Sequence, residues 1–573
     1  MRKDSVGRAT WLLLLFILAT PMMMLGLGLG KKKKPVKAVA VEQQESPEVA
    51  SIINHVIASE NLNSLMLMGF SPRIETYVQY YQPDNELGDV ATNDAIFLGR
   101  LKFDGEAKEV SFTSSSSSST PGWFRRHAPN PTRVFGSNPH LQLDSLAMEA
   151  LMVDGHHFDR KHYTFEPVRW EFLGDVRCLA IDVRPRDTEE TGAFQGRIWV
   201  EDHDFAVVRL NGTRIRPAKG NFYVHFDCWR ENLQPGTWLP VYVYSQETDL
   251  GKDLRYKSES RLWGYDLSAN HTQQEWTAIQ VDAPAPIRDS SEHNADLSPV
   301  ESVRRLNMEA EQNVLDRLER ARLIAPAGPV DKVLATVVNN LRVTNHLDGL
   351  PPVQCRVMMT STLESFSLAY TIILSRGLID VLPDEASLAM VLSHELAHIA
   401  LGHKLDPKFA FNDRLIVSDE DLLSHLDFTR PQTDETAADA KGIEFLKSSP
   451  YKENLAQAGL FLRAATEAAP HVPHIFGAHL GNGLTADNNK LIRMGALTSG
   501  APELKARSVD QISALPLGSR LQVNAWDGSV AFTDRKAVAL VDAGEKMPFR
   551  VTPVIPYLTM YGTANKSVES ARK

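Results

Sequence analysis

The chemistry of this chain concentrates in Ser393-His394-Glu395-Leu396-Ala397-His398. On a helix, His394 and His398 sit one turn apart on one face. Two imidazoles so placed can reach a single zinc ion at ~2.0–2.1 Å. Glu395 stands beside them, near enough to take a proton from an attacking water. This is the HExxH arrangement, whose chemistry is metal-assisted hydrolysis of peptide bonds.

Such a site needs a third protein ligand. A longer histidine motif would continue with Gly at 401 and His at 404; the chain has Leu401 and Lys404 there, which excludes that class. His403 falls roughly 140° around a helix from His398 and reads as a packed or solvated terminal histidine. The better candidate is Glu435, in Asp434-Glu435-Thr436-Ala437-Ala438-Asp439. These residues read as a second helix whose small alanines allow a close approach to the first. Glu435 would supply a carboxylate ligand. Asp439, one turn on, would orient a histidine N–H. The plain alternative is a pair of surface histidines and an acidic helix start favoured by the helix dipole. The two motifs together favour the functional reading.

The elements that must hold these groups follow from periodicity. Asp384, after Pro383, is a candidate N-cap. Leu388, Val391, Leu392, Leu396 and Ile399 then recur at helical spacing, and Gly402 marks the end. Pro47 to Leu65 suits a helix. From Ile74 to Leu267 the pattern is strand-like, as in Arg197-Ile198-Trp199-Val200 and Val241-Tyr242-Val243-Tyr244. Ser114 to Ser119 reads as a loop and Pro284 to Pro299 as a linker. Val300 to Leu323 reads as a charged helix with a solvated face. Ser519 to Val523 and Ala537 to Val541 read as strands.

The expected fold class is therefore α+β and multidomain: a mainly antiparallel β N-terminal domain, a mostly helical zincin-like domain and a small β-rich C-terminal region. The divisions fall at 1–34 (signal peptide or membrane anchor), 46–283 (β-rich domain), 284–329 (linker and helix), 330–500 (HExxH domain) and 508–562 (β-rich C-terminal region).

The 573 residues carry a net charge of -10, with 43% hydrophobic and 23% charged residues, an ordinary globular balance. No long basic stripe follows the N-terminus, so nucleic acid is not an expected partner. Cys178, Cys228 and Cys355 form no C-x-x-C pair. Cys178 and Cys228 are either buried thiols or, in an exported chain, a bridge. Arg2, Lys3 and Arg8 precede an uncharged run from Trp11 to Gly30, and Lys31 to Lys34 follow it. That pattern predicts export to the periplasm or another extracytoplasmic space. The run is also long enough to anchor the chain in a membrane if uncleaved. No cysteine lies near it, which excludes a lipidated cysteine anchor.

Residues from about Val330 to Ala468 resemble the HtpX / CAAX-prenyl-endopeptidase-like zinc metallopeptidases. The likeness rests on Ser375-Arg376-Gly377-Leu378-Ile379, on the run from Asp384 to His403, and on Glu435, Ala438, Asp439 and Gly442. It implies one Zn2+ per chain held by His394, His398 and Glu435, with Glu395 as general base and protein or peptide substrates. It also implies that Glu364-Ser365-Phe366-Ser367-Leu368 offers a strand edge to an extended peptide. That would put Glu364 and Phe366 at the substrate cleft, with Glu364 standing where Asn is usual. His479 and Arg493 are the nearest counterparts of a further cleft motif, at a different spacing. The β-rich region, with Gly196-Arg197-Ile198-Trp199-Val200-Glu201, is similar to periplasmic lipoprotein-carrier half-barrels; a generic antiparallel sheet fits as well. The carrier likeness implies an apolar concave face for a lipid, lipoprotein or peptide. The function expected is a zinc endopeptidase of envelope protein quality control or processing. The alternative is a catalytically silent binding or assembly factor of the envelope that works through the β-rich domain.

Overall fold

A computed structural model of the chain describes residues 46–533, apart from 85–87, 105, 112–149, 156, 188–191, 216–224, 250–253, 266–297, 405–425, 486–489, 492, 506–510 and 512–519. The apolar run 11–30, the serine run, nearly all of the expected linker and the strand expected at 537–541 lie outside the described residues. Among the described residues no helix is long and apolar enough to cross a membrane.

Alternation of apolar and polar residues builds one large sheet. Its strands are β1 (Arg73–Asp84), β2 (Gly88–Asp104), β3 (Glu106–Ser111), β4 (Tyr163–Leu173), β5 (Val176–Pro185), β6 (Phe194–Glu201), β7 (Val207–Arg214), β8 (His225–Gln234), β9 (Thr237–Asp249) and β10 (Leu254–Trp263). All neighbours are antiparallel, in the order β3-β2-β1-β10-β9-β8-β7-β6-β5-β4. On β7, Val208, Leu210, Gly212 and Arg214 are buried while Arg209, Asn211 and Thr213 are half-buried, the period of two that a one-sided core demands.

Helix α1 (Pro47–Met68) buries Ile53, Val56, Glu60 and Leu67. The Glu60 carboxylate meets Arg230 of β8 in two contacts of 2.5 and 2.8 Å, and both side chains are at most 2% exposed. Cys178 on β5 and Cys228 on β8 are buried free thiols with β6 and β7 between them. Of the two readings of this pair, the thiols hold.

The remaining described elements form a mixed layer. Helix α2 (Pro299–Arg320) starts with a capping box between Ser298 and Glu301. It was expected to have a solvated face; its first half does, but Ala310, Glu311, Val314, Leu315 and Leu318 are buried. Helix α3 (Pro329–Thr344) leads to a small sheet of β11 (Gln354–Met358), β12 (Glu364–Leu368), β13 (Thr371–Ser375) and β14 (Asn482–Gly483), ordered β11-β13-β12-β14. Helices α4 (Arg376–Val381), α5 (Glu385–Leu401), α6 (Gln432–Lys447), α7 (Leu455–Ala468) and α8 (Pro473–Phe476) complete it.

A two-stranded hairpin, β15 (Leu521–Val523) and β16 (Val530–Phe532), joins the two parts. Gly264, just past β10, donates to Ala525 O at 2.7 Å, and the Arg520 and Leu521 N–H groups both reach Asp380 Oδ1 at 2.9 Å. The fold class is α+β, with the β-rich, mainly helical and small C-terminal β parts that the sequence predicts.

Candidate metal centre

Helix α5 is bounded as its sequence requires. Asp384 accepts the Ser387 N–H at 2.8 Å, and Gly402 closes the helix at φ 70°. Most of its length is buried, so its polar residues are forced into partnerships. Helix α6 packs against it with Ala438 fully buried. A Cβ on Gly442 would stand 3.2 Å from the His394 backbone. The close approach expected of the small residues is therefore present, with glycine at its tightest point.

That packing brings Glu435 to the two histidines. His394 Nε2 lies 3.2 Å from Glu435 Oε2, His398 Nε2 lies 3.4 Å from Glu435 Oε1, and the two Nε2 atoms are 3.1 Å apart. These three residues are the metal-competent group among the described residues. A tetrahedral ion with bonds of ~2.0–2.1 Å would hold its ligand atoms about 3.3–3.4 Å apart, close to the distance of each imidazole from its nearer carboxylate oxygen.

The tautomers agree with the fit. His394 Nδ1 lies 2.8 Å from Asp439 Oδ1, which can only accept, so the proton is on Nδ1 and Nε2 presents its lone pair. His398 Nδ1 is 2.9 Å from His403 Nδ1. His403 is therefore no ligand, but it is more than a terminal histidine: it props the His398 ring from behind. The fold thus holds several lone pairs against one another in a buried space. Such a cluster is costly unless a cation sits among them. The residues fit a zinc ion.

Glu395 is held apart from this group. Its Oε1 accepts the Ser365 hydroxyl at 2.7 Å and Arg493 Nη1 at 3.0 Å, while its buried Oε2 accepts no hydrogen bond. Burial pushes the Glu395 carboxyl up. Arg493, His394 and His398 outweigh that and hold it below the usual carboxylate range. Burial also pushes Glu435 up, and the two histidines and Arg493 override it and hold it below the usual carboxylate range. The two imidazoles diverge. Burial lowers both, but Asp439 and Glu435 leave His394 raised, whereas at His398 burial outweighs Glu435 and Glu395 and the ring ends lowered.

The residues expected at a substrate cleft separate. Arg493 comes to the site and touches Glu395. Glu364 does not line a cleft: it is fully buried, and its Oε2 accepts the N–H groups of His479, Leu480 and Gly481 at 3.0, 2.9 and 2.9 Å. A carboxylate has the acceptor capacity for such a turn, which accounts for Glu at this position. Phe366 is core, stacked on Phe428 at 4.7 Å. His479 gives its backbone N–H to Glu364, and its ring Nε2 is buried without a hydrogen bond. All five residues of β12 are buried, so the strand edge expected for an extended peptide is not open. Ser365, Asn482 and the support from His403 were not foreseen. Asn482 lies 47 residues from Glu435, whose carboxylate it touches, and no local pattern announces such a contact.

Residues 335–411 match the family model of Peptidase family M48. The M48 stretch runs from α3 through α5, so it contains both histidines and Glu395 and ends before Glu435. With the three-residue cluster it supports a metallopeptidase acting on protein or peptide. No curated protein matches the chain. Two solved structures are similar to the N-terminal β-rich region. One is a LolA superfamily protein from Nitrosomonas europaea, at 10% identity and a TM-score of 0.18, covering 38% of this chain and 92% of that one. The other is a DUF1329 family protein from Desulfovibrio piger, at 9% identity and a TM-score of 0.17, covering 39% and 94%.

Proposed function

We propose that the chain is a zinc-dependent endopeptidase with Glu395 as its general base. The observation that carries this reading is the convergence of His394 Nε2, His398 Nε2 and the Glu435 carboxylate. These three residues would hold the ion, which when bound supplies positive charge that acidifies water and polarises the scissile carbonyl. Asp439 fixes the His394 tautomer. Ser365 and Arg493 occupy Oε1 of Glu395, so the proton of the attacking water goes to Oε2 and passes from there to the leaving amine. Burial of all four groups, none more than 2% exposed, keeps bulk water out.

The test is Glu395→Gln. Metal content should match wild type, while hydrolysis of an unfolded protein substrate should fall by roughly 10²–10⁴-fold. Unchanged turnover would remove Glu395 from the mechanism.

We extend the proposal to its setting. The basic start and apolar run of residues 1–34 support export or anchoring, and with it work on envelope proteins. We also propose the divisions at 46–283, 330–500 and 508–562 as domains, with lipid or lipoprotein as a candidate ligand of the first. The burial of the site favours one second reading, a catalytically silent binding or assembly factor. It predicts a chain without metal and a Glu395→Gln variant that behaves as wild type in cells.

A further inference from the structure

We infer that the N-terminal sheet is a working part of the metal site, through a relay that ends on Asn482, and that Asn482 decides which oxygen of Glu435 faces the ion. The inference rests on the zinc reading above and adds to it a positioning residue and the route that places it.

Asn482 Nδ2 donates to Glu435 Oε1 at 2.6 Å. Glu435 Oε2, 3.2 Å from His394 Nε2, accepts no hydrogen bond. An amide donor on one oxygen satisfies that oxygen and stops the carboxylate from turning. The other oxygen, the one nearer His394, is left without a hydrogen bond to face the ion. Without the amide the carboxylate can rotate or bind through both oxygens.

Asn482 has little freedom of its own. In β14 it pairs with Ser365 of β12, and Gly483 pairs with Glu364. The three residues before it are clamped through their N–H groups to the buried Glu364 carboxylate. Just upstream lies α8, and a buried acid from the large sheet holds its first turn. Asp94 of β2 accepts the His474 N–H at 2.8 Å through Oδ1 and the Ile475 N–H at 2.8 Å through Oδ2. The His474 ring lies 2.9 Å from Oδ1 as well. From Asp94 to Glu435 the contacts are thus continuous: Asp94, the α8 turn, the Glu364-bound loop, Asn482 and the ligand.

A second acid on the neighbouring strand grips the other wall of the site. Glu75 of β1 accepts the Ser361 N–H at 2.7 Å and Arg376 Nη2 at 3.2 Å, and Ser361 precedes the strand that carries Ser365. Glu75 and Asp94 are each at most 2% exposed. Two adjacent strands of the sheet therefore each direct one buried carboxylate to the backbone next to the site, and Asp94 does so while also accepting the Tyr77 hydroxyl of β1 at 3.2 Å. A sheet that merely sat beside the peptidase part would not need these contacts.

The experiment uses the full-length chain, loaded with zinc for affinity and with cobalt(II) for its absorption spectrum, which reads ligand geometry. Asn482→Ala should weaken zinc binding by roughly 10–100-fold in chelator competition and shift the cobalt bands. Asn482→Gln should restore part of both. Asp94→Asn should shift the cobalt bands in the same direction by less. Glu60→Gln breaks a buried ion pair between α1 and β8, away from the site; it should lower the melting temperature and leave the cobalt spectrum as in wild type. Wild-type affinity and spectrum in Asn482→Ala would overturn the positioning role. An Asp94→Asn variant that changes only the melting temperature would overturn the relay. A wild-type chain that takes up neither metal would instead overturn the zinc reading, and this inference with it.

Discussion

The large sheet and the α5–α6 pair both bury charged groups, and they treat them in opposite ways. Where α1 covers the sheet, Glu60 and Arg230 close on each other, and the Glu60 carboxylate also takes the Val153 N–H at 3.1 Å. Both oxygens of that buried carboxylate are answered by the guanidinium of Arg230 inside the chain. Between α5 and α6, two imidazole nitrogens and a carboxylate face one another, and Glu395 Oε2 faces the same interior without a hydrogen bond. The Glu60 carboxylate is satisfied as folded; the cluster between α5 and α6 is satisfied only with something added. A buried polar cluster that the chain does not satisfy is where function is to be sought.

The sharpest way to break this comparison is to remove one member of the unsatisfied cluster. His398→Ala should lose the metal and bring hydrolysis to background, because two ligands cannot hold zinc against competing water. The fold should survive, since the deletion relieves a crowding of lone pairs. Metal analysis and thermal unfolding on one preparation check both halves. Stoichiometric zinc in that variant would mean that the cluster is not the site.

Removing one member of the satisfied pair should do the reverse. Arg230→Met leaves the Glu60 carboxylate buried without its counter-ion, at a cost of about 3–5 kcal/mol. Stability in urea should fall by that amount while zinc stoichiometry stays at wild type. A chain that lost its zinc as readily as its stability would show that the two regions do not divide as described.

The site was far more legible in the sequence than the surface around it. The convergence of His394, His398, Glu435 and Asp439, with Glu395 beside them, is legible because a helix converts sequence spacing into direction, and each motif is complete within one or two turns. Asp384 and Gly402 were legible for the same reason. The strands of the large sheet were legible through alternation. What was not legible depends on contacts between distant segments. Position in the motif puts Glu364 and Phe366 at a cleft, and only the fold shows that one binds a loop backbone and the other stacks in the core. A regular helix points His403 away from the ion, so the sequence offers it no part in the site. The helix ends at Gly402, and the next residue turns back to reach the His398 ring. Asn482 and Asp94 carry no local pattern at all.

Glu311 marks the boundary between the two kinds of region, and its expected effect is smaller. It is 8% exposed, and its Oε2 has no hydrogen bond, as at the metal centre. The charges that face it are not Lewis bases but cations, Arg430 ahead of α6 and Lys404 after α5. Burial outweighs both and pushes the carboxyl up to about 7. Here a proton, not a metal, completes the group. The folded value lies above the unfolded one, so the stabilisation is full below about pH 4.5 and is lost as the pH rises to about 7. Glu311→Gln stays neutral throughout. Its stability relative to wild type should therefore rise from pH 5 to pH 8, by on the order of 2–3 kcal/mol. Urea unfolding of both chains across that range measures the difference. A gap that does not change with pH would mean that Glu311 is already ionised in the folded chain, and that an unsatisfied buried oxygen outside the metal centre can persist without either a proton or an ion.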